Sequence, residues 1–169
     1  MGGDELVAIY DEEGAVVGSA PRARMRAEGL WHAASVVLVR SPDGGRVYLH
    51  QRTADKDVFP SLFDCWSGGV VAAGETPADC AVREIAEELG ISGVRPEPLF
   101  TSVFEQPPIR CHNFTHEVRW GGPFILQREE IAGGEWIGLE RLKAMAEDPA
   151  SPLVPDGRLG ILEWFRRYG

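Results

Sequence analysis

Between residues 69 and 91 the chain places Gly69, Glu75, Arg83, Glu84, Glu87, Glu88 and Gly90 in one frame. Thr76, Pro77 and Asp79 precede an apolar-periodic run and Gly90 closes it. This pattern predicts a helix over residues 77–89, with Thr76 as N-cap and Gly90 just beyond the C-terminus. At about 100° per residue, Glu84, Glu87 and Glu88 fall on one face. Ala78, Val82, Ile85 and Leu89 are expected to form a separate, core-facing stripe.

Three carboxylates on one face repel one another. A pair ~5 Å apart costs roughly 3 kcal/mol at an effective dielectric of 20. A bound cation offsets that cost, and oxygen ligands suit Mg²⁺ or Mn²⁺, ions that keep water and bridge to substrate phosphates. Read alone, the helix also fits a solvated acidic face, since glutamates are good helix formers and surface repulsion is screened. The flanking residues favour the cation. Gly69 to Gly74 form a loop with glycines where backbone turns sharply or approaches a ligand. The planar fork of Arg83 can bond Glu75 in that loop and Glu87 one turn along the helix, tying the loop to the acidic face.

Residues 69–91 read G-x5-E-x7-R-E-I-x-E-E-x-G-I and resemble a complete Nudix box. The resemblance implies an α/β (α+β) fold, a mixed β-sheet sandwiched between helices. It also implies hydrolysis of nucleoside diphosphates linked to another moiety, with Mg²⁺ as cofactor and Mn²⁺ as an alternative. Glu84, Glu87 and Glu88 would be metal ligands and the Gly69 carbonyl a further one. Glu84, Glu87 and Arg83 would belong to the catalytic group, and Glu75 with Arg83 would shape the loop.

A broader resemblance, over about residues 5–140, is to the Nudix branch that includes isopentenyl-diphosphate isomerases. Those enzymes carry a catalytic cysteine before the box glycine and a histidine after it, where this chain has Gly68 and Val70. Their glutamate-bearing strand corresponds to the region of Cys111, His112 and Asn113. Isomerisation is therefore a rival function that lacks its acid–base groups, and a catalytically silent ligand-binding module is a second rival. Arg52 and Lys56 match basic residues that reach a diphosphate in that branch; surface charge on a loop is the plainer reading. Glu130 precedes Trp136 at a spacing common in related chains, which implies a loop acid that orients water or completes metal binding, against an ordinary solvent-facing charge.

Length and composition suit a single domain over residues 1–169: 44% of residues are hydrophobic and 25% charged. A net charge of −9 opposes binding to a nucleic-acid polymer, whose affinity rests on clustered cations. The expected partner is a small diphosphate-containing substrate, with the protein a monomer or homodimer. Cys65, Cys80 and Cys111 lack metal-site spacing and read as reduced thiols of a cytoplasmic protein, Cys80 as a small packed residue near the acid face. No targeting segment or membrane-length apolar run is evident.

The remaining elements follow from alternation and turn residues. An N-terminal hairpin is expected at about 5–18, then a polar, Arg-rich connector. Strands follow at 33–40 and 47–51, a mainly irregular stretch at 52–63, and strands at 65–70, 98–106, 110–119 and 134–137. Helices are expected at 139–147 and about 158–168. His32, His50, His112 and His116 show no close metal spacing and read as structural or surface groups.

Overall fold

Alternation along one strand sets the layers. In the computed structural model, which describes residues 2–169, β3 (Trp31–Arg40) sends Val37 and Val39 to one face and Leu38 to the other. β4 (Arg46–Arg52) does the same, with Tyr48 opposite Val47 and Leu49. α2 (Pro77–Leu89) covers the first face through Ala81, Ile85 and Leu89, each fully buried. α3 (Leu139–Glu147) and α4 (Pro155–Tyr168) cover the second with Leu142, Ile161 and Trp164. The expected mixed sheet between helices is therefore the observed architecture.

The sheet is mixed because β3 runs parallel to β8 (Ile109–Arg119) and antiparallel to β6 (Trp66–Val70). Its strand order is β5-β4-β3-β8-β7, where β5 is Phe63–Asp64 and β7 is Glu97–Gln106, while β9 (Ile131–Gly138) pairs β4. β1 (Leu6–Tyr10) and β2 (Val16–Pro21) form a separate hairpin. It docks on the loop after β6, where the Ala8 N–H donates to the Val71 carbonyl at 3.1 Å and the Ala73 N–H to the Leu6 carbonyl at 3.0 Å.

α2 starts and stops as its sequence specifies: Thr76 Oγ1 accepts from the Asp79 N–H at 3.1 Å, and Gly90 takes the left-handed conformation at φ 71°. Its core face differs from expectation. Ala81 takes the inner position, while Ala78 and Val82 are only half-buried. The face is rotated toward the glutamates, so Glu84 and Glu88 are buried beside Ile85 and Leu89. Burying those two apolar side chains gains roughly 1.5–3 kcal/mol each, which offsets part of the cost of enclosing two carboxyls.

The expected Arg-rich connector is in fact partly helical. α1 (Arg22–Glu28) makes two turns ending at Gly29, with φ 60°. Met25 is its only buried residue, so the apolar periodicity that reveals a longer helix is missing. The hairpin's second strand extends to Pro21, beyond its expected end at 18, and α4 begins at Pro155, ahead of the expected 158. β9 begins at Ile131 rather than 134, leaving Glu130 in the turn before it.

Candidate active site

β6 and α2 meet at a cleft lined on one wall by Gly69, Glu84, Glu87 and Glu88. Glu84 is 3% exposed and Glu88 8%, whereas the Glu87 side chain is 47% exposed. The Gly69 backbone lies so close to Glu84 that an added Cβ would stand 2.5 Å from Oε1, so only glycine allows this approach. Burial, opposed by Arg83, raises the pKa of Glu84, and burial together with the Glu84 charge pushes Glu88 well above the usual carboxylate range. The two carboxyls interact closely, and each makes the other harder to ionise or to keep neutral according to which of them holds charge.

Arg83 makes the expected bracket and reaches Glu84 as well. Its Nε donates to Glu75 Oε2 at 2.7 Å and a terminal nitrogen to Glu75 Oε1 at 2.9 Å, a bidentate pair. The other terminal nitrogen reaches Glu84 at 2.9 Å and Glu87 at 3.3 Å. Glu75 in turn accepts from the Ala72 N–H at 3.1 Å, which fixes the loop. Cys80 is buried with Sγ 3.5 Å from the Gly69 carbonyl oxygen, and burial pushes its thiol up to about 12, so it is a packed residue.

The opposite wall carries the cations. Arg52 ends β4 and donates to the carbonyls of Val58 at 2.9 Å and Phe59 at 3.2 Å, holding the loop of residues 53–62. That loop contains two non-glycine residues at positive φ, Phe59 at 49° and Ser61 at 65°. Lys56, in the same loop, pairs with Glu130, whose carbonyl also accepts from the Thr53 N–H at 3.2 Å, so two residues singled out separately in the sequence come together at the cleft. Arg22 and Arg26 of α1 both reach Asp57.

Asp64 and Asp156 also line this cavity of about 130 Å³, together with Asn113 and Trp66. Burial, reinforced by Asp156, pushes Asp64 up to about 7. Burial also raises Asp156. His50, enclosed behind Arg52, is driven down to about 3 by burial first and by the neighbouring Arg52 charge second. All four histidines are buried and bonded within the fold, as in the 2.9 Å contact of His112 Nε2 with the Asp11 carbonyl. None lies at the surface, and His32 and His50 also line the cleft, which the sequence did not indicate. Sequence reasoning missed Arg22, Arg26, Asp64 and Asp156 as cleft residues. For Asp64 a signal was present, a lone acid between Phe63 and Cys65-Trp66 in a strand that otherwise reads as buried.

Among the described residues no three His, Cys, Asp or Glu side chains are preassembled in metal-coordinating geometry. Instead, Glu84 and Glu87 are both held by Arg83. Their chemistry still fits a hard divalent cation. The donor set is all oxygen, from Glu84, Glu87, Glu88 and the Gly69 carbonyl, and two of the three carboxyls are buried where their charge lacks solvent.

The chain belongs to the NUDIX family: the NUDIX domain model matches residues 30–157. It is 46% identical to orf19 of Rhodococcus erythropolis, an uncharacterized Nudix hydrolase, over 95% of this chain and 92% of that one. It is 34% identical to YfcD of Escherichia coli K12, also an uncharacterized Nudix hydrolase, over 96% and 88% respectively. Among solved structures, DR0079 of Deinococcus radiodurans superposes with a TM-score of 0.77 at 26% identity, covering 98% of this chain and 100% of that one. The MutT protein of Methanosarcina mazei shares the fold at a TM-score of 0.68 and 21% identity, covering 81% and 94%. Family membership supports a hydrolase of the pyrophosphohydrolase type.

Proposed function

We propose that the protein, acting as a single cytoplasmic domain, is a Mg²⁺-dependent hydrolase that cleaves a diphosphate linkage in a nucleoside diphosphate derivative or a related small diphosphate. The observation that carries this reading is the oxygen wall of buried Glu84 and Glu88, exposed Glu87 and the Gly69 backbone, which lines one cleft together with Arg52 and Lys56. Glu84, Glu87 and Glu88, with the Gly69 carbonyl, would hold the metal, and Mn²⁺ fits the same donors. When bound, the ion supplies charge neutralisation at the phosphates and a lowered pKa for bound water.

Arg83 keeps Glu84 and Glu87 at fixed positions and clamps the loop through Glu75. Arg52 and Lys56 hold the phosphates from the opposite wall, Arg52 through the loop it anchors as well as by its charge. Glu130, released from Lys56 as phosphate arrives, accepts a proton from the attacking water or completes the oxygen set.

Isomerisation of isopentenyl diphosphate is disfavoured by a specific observation. A Cβ at Gly68 would stand 1.8 Å from the Ser35 carbonyl oxygen of the paired strand β3, so the backbone of this chain is set for glycine there and has no room for a cysteine side chain unless β6 shifts. The test is phosphate or pyrophosphate release from a panel of nucleoside diphosphate derivatives, sugar diphosphates and prenyl diphosphates, with Mg²⁺, with Mn²⁺ and with chelator. Metal-dependent release supports the proposal. Absence of release across the panel, or double-bond migration in isopentenyl diphosphate, overturns it.

A further inference from the structure

The cleft extends beyond its charged walls. A smaller cavity of about 20 Å³ adjoins it, sharing Val36, Asp64, Trp66, Asn113 and Asp156 with it and having none of the α2 glutamates, Arg52 or Lys56 in its wall. Asn113 of β8 is 6% exposed, and its one side-chain hydrogen bond among the described residues comes from the Cys111 thiol, 3.6 Å from Oδ1. Burial keeps that thiol protonated, so Oδ1 accepts from it and the Nδ2 hydrogens are left for the cavity. Nδ2 has no partner among the described residues, yet it is not sealed inside the protein. Asp64, 9% exposed, holds Oδ1 on the Trp66 N–H at 3.0 Å, and Asp156 holds Oδ1 on the Gly157 N–H at 3.1 Å. Among the described residues no side chain bonds to either carboxyl. The charge of Arg52 reaches both, but its Nε and one terminal nitrogen go to the Val58 and Phe59 carbonyls. Buried Glu84, by contrast, has Arg83 at 2.9 Å. Enclosed polar groups without partners cost stability, and in a cavity a ligand can supply those partners.

We propose that Asn113, Asp64 and Asp156 form the specificity site for the group esterified to the diphosphate, and that this group is neutral and presents a hydrogen-bond donor beside an acceptor, as a nucleobase lactam edge or a sugar diol does. The donor serves a carboxyl oxygen and the acceptor serves Asn113 Nδ2. An ammonium group offers donors only and would meet the Arg52 charge, while a further anionic group would meet two acids. A prenyl or alkyl chain packs on Val36 and Trp66 but leaves all three polar groups without partners. A site built to hydrogen-bond its ligand rejects an analogue lacking those bonds far more strongly than an apolar pocket rejects a missing methylene. Placing the diphosphate against α2 rests on the hydrolase reading; the head-group site is tested by binding alone.

The experiment is calorimetric titration in Mg²⁺ with diphosphate probes that carry a methylene bridge in place of the scissile oxygen. The probes are the uridine compound, its 2′,3′-dideoxy form, the methyl riboside and the isopentyl compound. The uridine probe should bind wild type on the order of 10²-fold more tightly than the isopentyl probe. Affinity retained by the dideoxy probe identifies the lactam edge as the recognised group, and affinity retained by the riboside identifies the diol; either supports the proposal. Asn113→Leu and Asp156→Asn should each weaken the uridine probe about tenfold or more and leave the isopentyl probe within about twofold. Asp156→Asn keeps the oxygen that accepts from Gly157 and replaces the other by a donor, so it decides the matter if Asn113→Leu fails to fold. Equal affinity for the uridine and isopentyl probes in wild type, or equal losses for both in the variants, overturns the proposal. Selective binding of this pattern with no metal-dependent phosphate release from the substrate panel would sustain the head-group site and remove the hydrolase reading. Metal-dependent release with no such selectivity would do the reverse.

Discussion

Replacing Asp64 by asparagine should stabilise the protein, and do so only above mildly acidic pH. Asp64 is a buried residue of the cleft lining, and its carboxyl is pushed up to about 7 from its ordinary 3.8 because burial and Asp156 disfavour its charge. The folded chain thus binds this proton more tightly than the unfolded chain does. Below the unfolded value both states are protonated and the group costs nothing. As pH rises toward 7 the unfolded state gains stability by ionising while the folded state does not, so folding stability falls across that window and then levels. At 1.36 kcal/mol per pH unit, the gap between 3.8 and about 7 is worth up to about 4 kcal/mol at pH 8. Asparagine removes the charge yet keeps the oxygen that accepts from the Trp66 N–H at 3.0 Å. Urea denaturation of metal-free protein at pH 4, 6 and 8 should show the variant equal to wild type at the lowest pH and increasingly more stable above it. A variant no more stable than wild type at pH 8 would mean that Asp64 ionises at an ordinary pH, with water or a cation supporting its charge.

Glu87→Gln and Glu88→Gln should each abolish turnover while folding normally; Glu88→Gln should melt at an equal or higher temperature without Mg²⁺ and show a smaller Mg²⁺-induced shift, and unchanged turnover at limiting Mg²⁺ would remove both as ligands. Arg83→Lys should lower kcat by on the order of 10²-fold with little change in KM, because lysine cannot make the bidentate contact to Glu75 while reaching Glu84 and Glu87; wild-type kinetics would refute the bracket. Gly68→Ala should cost about 3 kcal/mol or more in chemical denaturation, since its Cβ has no room beside the Ser35 carbonyl, and a near-neutral result would mean that β6 shifts easily on β3.

The acid-bearing helix was legible because its caps, spacing and charges all lie within one local window: Thr76, Arg83 and Gly90 act where the sequence places them. The sheet strands were legible from alternation, and their layers follow from it. What was not legible depends on contacts distant in sequence. Nothing near Glu84 and Glu88 says that both will be buried, because the rotation of α2 is decided by how Ala81, Ile85 and Leu89 meet Val37, Val39 and Val118. α1 has a single apolar anchor, so its two cleft arginines looked like connector charge. Asp64 and Asp156 lie far apart in the chain, and only the approach of α4 to β5 and β6 gives them a shared environment, with Trp66 Nε1 donating to the Gly157 carbonyl at 3.1 Å.

The cleft reads as a set of internal pairs that substrate and metal would exchange rather than create. Arg83 serves as counter-charge to Glu84 and Glu87, Glu130 to Lys56, and Asp57 to Arg22 and Arg26. Leaving any of these groups buried and unpaired would cost several kcal/mol, so each cation or anion that function requires is given a partner in the free protein. The partners differ in how firmly they are held. Glu75, which grips Arg83 with two short bonds, is fixed beside the helix it precedes, whereas Asp57 and Lys56 ride on an irregular loop outside sheet and helix, held by a few backbone bonds around Thr53 and by the Arg52 side chain. In the proposed reaction the acid wall would therefore stay in place while the basic wall rearranges around an arriving phosphate. Selectivity would be set apart from both, at Asn113, Asp64 and Asp156, while the chemistry shared by the family stays on α2.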